Sequence, residues 1–113
     1  MEEIKVGEYV RTKDGVIGKV IAIANMYIEL DTKYYDTQYG YFRNVTFDER
    51  ITKHSLNIID LIEVGDIATM KYRHIDVTKP LNETDIADLK SGELKLVSVV
   101  THQQFNSIKY EVI

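Results

Sequence analysis

The segment Val6-Gly7-Glu8-Tyr9-Val10-Arg11-Thr12-Lys13-Asp14-Gly15-Val16-Ile17-Gly18-Lys19-Val20 decides the fold of this chain. Asp14-Gly15 is a hairpin signal: Gly15 accepts positive φ at no steric cost, and an Asp before it tolerates the same region. On either side lie short runs of β-branched and aromatic residues, which suit a pleated, half-buried surface. Two strands joined by a tight turn follow, with Val10, Ile17 and Val20 beginning a core. Gly18 interrupts the second strand and predicts a bulge or a sharp bend, as the corners of a small β-barrel need.

Downstream, Met26-Tyr27-Ile28-Glu29-Leu30-Asp31 alternates apolar and polar side chains and reads as a third strand. Residues 32–40 are polar and rich in tyrosine, a long hairpin loop or two strand ends flanking one. Tyr41–Phe47 is a fourth strand, with Phe42, Asn44 and Thr46 on one face and Tyr41, Arg43, Val45 and Phe47 on the other. Ile51–Lys53 is a short fifth strand, Ser55 caps a helical turn, and the apolar run Ile58-Ile59-Asp60-Leu61-Ile62 forms a seam between two halves. The opening pattern then recurs: Ile4-Lys5-Val6-Gly7-Glu8-Tyr9-Val10 aligns with Ile62-Glu63-Val64-Gly65-Asp66-Ile67-Ala68 at an offset of 58 residues. Each copy reads as a turn that feeds the first strand of a β-unit.

In the second half, Thr69–Val77 reads as one strand ended by Pro80. Asn82–Lys90 reads as a short helix with Asn82 as cap, Ile86 and Leu89 facing inward and Gly92 beyond its end. Leu94–Val100 is a strand. Thr101-His102-Gln103-Gln104 matches a capping box that starts one helical turn, and Ile108, Tyr110 and Val112 alternate in a last strand. The fold class is therefore mainly β: a small barrel over residues 4–60 and a smaller β-unit over 61–113 packed on it, with one or two short helical turns.

Composition narrows the function. The chain of 113 residues contains no Cys, so thiolate catalysis, disulfides and sulfur-based zinc sites are excluded. The N-terminus lacks the apolar run of a signal peptide and no stretch has the length of a membrane-spanning helix, which predicts a cytoplasmic protein without membrane attachment. Net charge is −4, divided evenly between the halves, and it disfavours non-specific nucleic-acid binding. The six glycines are scattered and form no phosphate-binding loop. His54, His74 and His102 lack the spacing of a metal-binding helix, and no Ser lies in a Gly-x-Ser-x-Gly context. No catalytic residue, metal ligand or cofactor is predicted.

Two resemblances add to this. Val6–Thr12 followed by Asp14–Val20 resembles the first hairpin of SH3-like barrels of the KOW and Tudor type, which implies an SH3-like fold for the first half. Ile51–Ser55 with Asn57–Asp66, and the ending Ser98–Phe105, are similar to small uncharacterised proteins of phages and prophages of Gram-positive bacteria. That likeness implies a mobile-element origin and carries no functional residues.

The best functional candidate is the tyrosine-rich region. Seven of the eleven aromatic residues fall between Tyr27 and Phe47. Tyrosine gives large contact area at low entropic cost and anchors protein interfaces. The expected function is therefore non-catalytic: an accessory protein of phage or prophage origin that docks on another protein, such as a host enzyme, through a tyrosine-rich loop with Tyr34, Tyr35, Tyr39, Tyr41 and Arg43 as the partner-binding residues. The alternative is a nucleic-acid-binding SH3-like module in which these rings stack on bases while Lys33 and Arg43 meet phosphates. A small enzyme ranks third. Open strand edges also leave self-association open.

Overall fold

The computed structural model describes residues 3–36 and 40–108. It divides into two units, Met1–Leu61 and Ile62–Ile113. The architecture is mainly β, with a five-stranded and a three-stranded sheet and two short helices.

The first unit contains β1 (Tyr9–Thr12), β2 (Ile17–Ala24), β3 (Tyr27–Asp36), β4 (Tyr41–Phe47) and β5 (Ile51–Ser55), in the spatial order β4-β3-β2-β1-β5. All neighbours are antiparallel. The β1–β2 connection is a four-residue loop, Lys13–Val16. Only Gly15 has positive φ (81°), its amide donates to the Thr12 carbonyl, and the Thr12 amide donates to the Val16 carbonyl. Asp14 keeps negative φ and instead pairs with Arg50. Gly18 is required for a reason other than bending. A Cβ there would lie 3.0 Å from the Thr32 methyl and 3.1 Å from Leu30, so β3 side chains pack directly on its backbone. The irregularity of β2 lies between Val20 and Ala22, where the strand passes from pairing β1 to pairing β3.

The core of this unit is Val10, Val16, Val20, Ile28, Leu30 and Ile51, with Ile4 and Tyr34 packed against it. Burying each aliphatic side chain contributes roughly 1.5–3 kcal/mol. Val16, rather than the half-buried Ile17, is the core residue after the turn. Arg11, on the face of β1 opposite Val10, is fully buried, because the segment ending at Leu61 packs on that face. Its guanidinium donates to the Leu61 carbonyl at 3.0 Å, tying β1 to the 3₁₀ turn Ile58–Leu61. Ser55 is not the cap of that turn. Its hydroxyl donates to Asp60 and accepts from the Asn57 amide, while the Asn57 side chain accepts from the Ile59 amide.

The second unit holds β6 (Ile67–Tyr72), β7 (Ile75–Pro80), α1 (Glu83–Ser91), β8 (Lys95–Val100) and α2 (His102–Ile108), with sheet order β7-β6-β8. The expected single strand over Thr69–Val77 is a hairpin that turns at Arg73-His74. Arg73 takes positive φ (56°) with its guanidinium over the Tyr72 ring, a turn without the usual Gly or Asn. Pro80 ends an edge strand, where its missing N–H leaves no ladder bond broken. Helix α1 has the expected ends: Asn82 and Asp85 form a reciprocal capping box, and Gly92 takes φ 89° beyond the last turn. Burial pushes the Asp85 carboxyl up, but the Asn82 amide and the Lys79 ammonium at 3.0 Å hold it below its ordinary value. Thr101 accepts from the Gln104 amide and starts α2, which runs two turns and includes Ile108, the first residue of the expected last strand. Tyr110 and Val112 lie outside the described residues.

Candidate functional site

The tyrosine-rich region is built by β3 and β4. Strand β3 extends through Asp36, so Tyr34 and Tyr35 lie in a strand end, the second of the two forms expected for residues 32–40. Period-two alternation then sends neighbours to opposite faces: Ile28, Leu30 and the half-buried Tyr34 point inward, while Tyr27, Lys33 and Tyr35 point outward.

Pairing of β3 with β4 is interrupted. Ile28 faces Thr46 and Glu29 faces Val45, but the register then jumps to Tyr34–Arg43, Tyr35–Phe42 and Asp36–Tyr41. Four residues of β3 are spanned by Asn44 alone, and its side-chain amide donates to the Leu30 carbonyl at 3.3 Å. An odd shift inverts the alternation of β4. Thr46 is buried opposite Ile28, while Phe42 emerges beside Tyr35 on the outer face. Simple alternation placed Phe42 and Thr46 on one face, and the irregularity at Asn44 separates them.

An exposed aromatic group results at the far end of the hairpin. Tyr35, Tyr41 and Phe42 are 53%, 52% and 68% exposed. The Tyr35 and Phe42 rings meet edge to face, with centroids 5.2 Å apart and planes at 69°. Such a pair adds roughly 0.5–1.5 kcal/mol and holds the two rings in a fixed mutual orientation. At the other end of the hairpin Tyr27 meets Phe47 at 5.2 Å and 45°.

The other predicted residues sit differently. Tyr34 packs on the core and its hydroxyl donates to the Val45 carbonyl at 2.7 Å. Burial pushes its phenol above the ordinary value, with the Arg43 guanidinium acting against that shift. Arg43 is largely covered and paired with Asp36 at 3.2 Å, its guanidinium 5.8 Å from the centre of the Phe47 ring. Tyr39 lies outside the described residues. Thus Tyr35 and Phe42 share the outer face, Tyr41 is exposed on the other face across from Asp36, and Tyr34 and Arg43 brace the hairpin. Simple alternation along the fourth strand concealed Phe42, because only the register jump at Asn44 places it beside Tyr35.

Two of the three histidines, which the sequence joins to no motif, meet carboxylates in the fold. His54 Nδ1 lies 3.1 Å from Glu8 and His102 Nε2 lies 3.2 Å from Glu63. A His–carboxylate pair can orient an imidazole as a base, provided that a nucleophile faces its other nitrogen. Beside His54, the Ser55 hydroxyl is directed to Asp60 at 2.6 Å, an arrangement that serves the turn. Among the described residues, no group of three or more His, Asp or Glu side chains is placed to hold a metal ion. No described helix is long and apolar enough to cross a membrane.

Comparison with protein-family models, with curated proteins and with solved structures finds no match for this chain.

Proposed function

We propose that the protein is a non-catalytic binding module that docks on another protein through the outer face of the β3–β4 hairpin, with Tyr35 and Phe42 as the contact residues. The observation that carries this reading is the exposed, edge-to-face Tyr35–Phe42 pair. Large rings left in water, already oriented by each other and by a paired strand, have lost little further freedom to lose on binding. Tyr34 and Arg43 act as braces beneath them. Commitment of Arg43 to Asp36 also weakens the nucleic-acid alternative, since a guanidinium already neutralised has less to offer a phosphate.

In this reading the first unit is an SH3-like barrel. Its strand order, the sharing of β2 between two sets of pairs and the 3₁₀ turn Asp48–Arg50 before β5 support that assignment. The cytoplasmic location and the phage or prophage origin rest on the sequence and its resemblance alone. The test is affinity capture with the wild-type chain and with Y35S/F42S. A partner retained by the first and lost by the second, with the second still folded and within about 1 kcal/mol of wild-type stability, is the expected result. Equal retention by both overturns the proposal.

A further inference from the structure

A second surface of the first unit has a different chemistry. A groove of about 570 Å³ is floored by Ile4, Ile23 and Ile28 and rimmed by Glu3, Asp48 and Glu49. Its walls come from the chain entering β1, the β2–β3 turn and the 3₁₀ turn after β4. The two turns are tied together, because the Asp48 amide donates to the Met26 carbonyl at 3.1 Å. Asn25, at the mouth, holds positive φ (57°) in the tight β2–β3 turn.

The charge at this groove is one-sided. Among the described residues, none of the three rim carboxylates has an ion-pair or hydrogen-bond partner. Arg50, the basic residue of the 3₁₀ turn, is engaged by Asp14 instead. Placing like charges around an apolar floor costs electrostatic energy that a cationic occupant would return. Lysine and arginine match both features, since they lay an aliphatic stem along apolar surface and present a charged head beyond it. A hydrated divalent cation would gain nothing from three isoleucines and needs six or more oxygen ligands.

We infer that this groove docks a basic, extended segment of a partner protein, with a lysine or arginine stem on Ile4 and Ile23 above the buried Ile28 and its head group between Glu3, Asp48 and Glu49. The surface shares no side chain with the Tyr35–Phe42 face, so the two proposals stand or fall separately.

The test uses the full chain with labelled isoleucine methyl groups, titrated in low salt with a short peptide of alternating lysine and alanine. Its glutamate–alanine counterpart and calcium chloride serve as comparison titrants. The expected result is saturable shifts at Ile4, Ile23 and Ile28 with the lysine peptide only. They weaken about tenfold or more in E3Q/D48N/E49Q, as loss of rim charges implies, and persist in Y35S/F42S. Should the triple variant melt early, D48N and E49Q alone must each weaken binding. Shifts centred elsewhere, equal binding by the charge-neutral variants, a response to calcium chloride alone or no response at all would overturn the inference.

Discussion

The turns Ile4–Glu8 and Ile62–Asp66 share a sequence pattern and, in each unit, the same set of hydrogen bonds. In both, the acidic residue donates its amide to the carbonyl three residues earlier, at 3.1 Å. In both, its carboxylate reaches back to the amide of that earlier residue, at 2.7 Å in the first turn and 2.8 Å in the second. Each glycine takes positive φ, 97° and 93°, and donates to a backbone carbonyl, that of Val20 in β2 or of Leu81 just after β7. The amides of Val20 and Leu81 return bonds to the carbonyls of Glu8 and Asp66, each at 2.8 Å.

What differs is the second duty of the carboxylate. Glu8, with a side chain one carbon longer and partly open to solvent, meets the His54 ring. Asp66 is fully buried and accepts the His102 amide at 2.9 Å, so it also anchors the first turn of α2. The same backbone device thus locks a strand in one unit and a helix in the other. Side-chain length and burial set how much depends on it.

That contrast predicts an order of effects in urea or thermal denaturation. Asp66→Ala should cost the most, about 3 kcal/mol, because it leaves the Glu63 and His102 amides without their charged acceptor. Gly7→Ala and Gly65→Ala should cost similar amounts, about 1–2 kcal/mol each. Neither added Cβ meets an atom closer than 3.9 Å, so the cost is left-handed backbone strain alone. A much larger loss at one glycine would show that the turns are not equivalent. Glu8→Ala should cost about 1 kcal/mol, since both its partners are reachable by water. If Glu8→Ala matched Asp66→Ala, burial would not be the discriminating variable.

A smaller effect is legible in pH. The Lys5 amide, helped by His54 and opposed by burial, holds the Glu8 carboxyl below its ordinary value of 4.5. A depressed folded-state value means that the unfolded chain binds the proton more readily. The contribution of Glu8 is therefore present above pH 4.5 and lost as pH falls through its lower folded value. Glu8→Gln should flatten that part of the acid limb of the stability curve and leave neutral stability changed by about 1 kcal/mol or less. An unchanged acid limb would remove the Lys5–Glu8 bond from the account.

Much of this was readable from residues alone. Asp14-Gly15 marked the first turn, Asn82 and Gly92 marked both ends of α1, and the Ile-x-Val-Gly-acidic echo marked the start of each unit. These signals are local, because they arise from φ preference and from side chains bonding amides a few residues away. What escaped depends on pairing between distant segments. The need for Gly18 is set by Leu30 and Thr32 across the sheet. The outward turn of Phe42 is set by a register jump at Asn44. Burial of Arg11 follows from the 3₁₀ turn Ile58–Leu61 packing on the second face of β1, where the Leu61 carbonyl accepts its bond. The Arg73 turn escaped because it lacks the residues that usually signal positive φ.

The turns are folding devices, and the exposed rings of the β3–β4 hairpin are assigned a different task. One measurement separates the two most directly: capture of a partner by the wild-type chain, by Glu8→Ala and by Y35S/F42S, each with its melting curve. The account predicts that Glu8→Ala lowers the melting temperature yet retains the partner below it, whereas Y35S/F42S stays within about 1 kcal/mol of wild-type stability and loses the partner. Retention by Y35S/F42S, or unfolding of that variant, would contradict it.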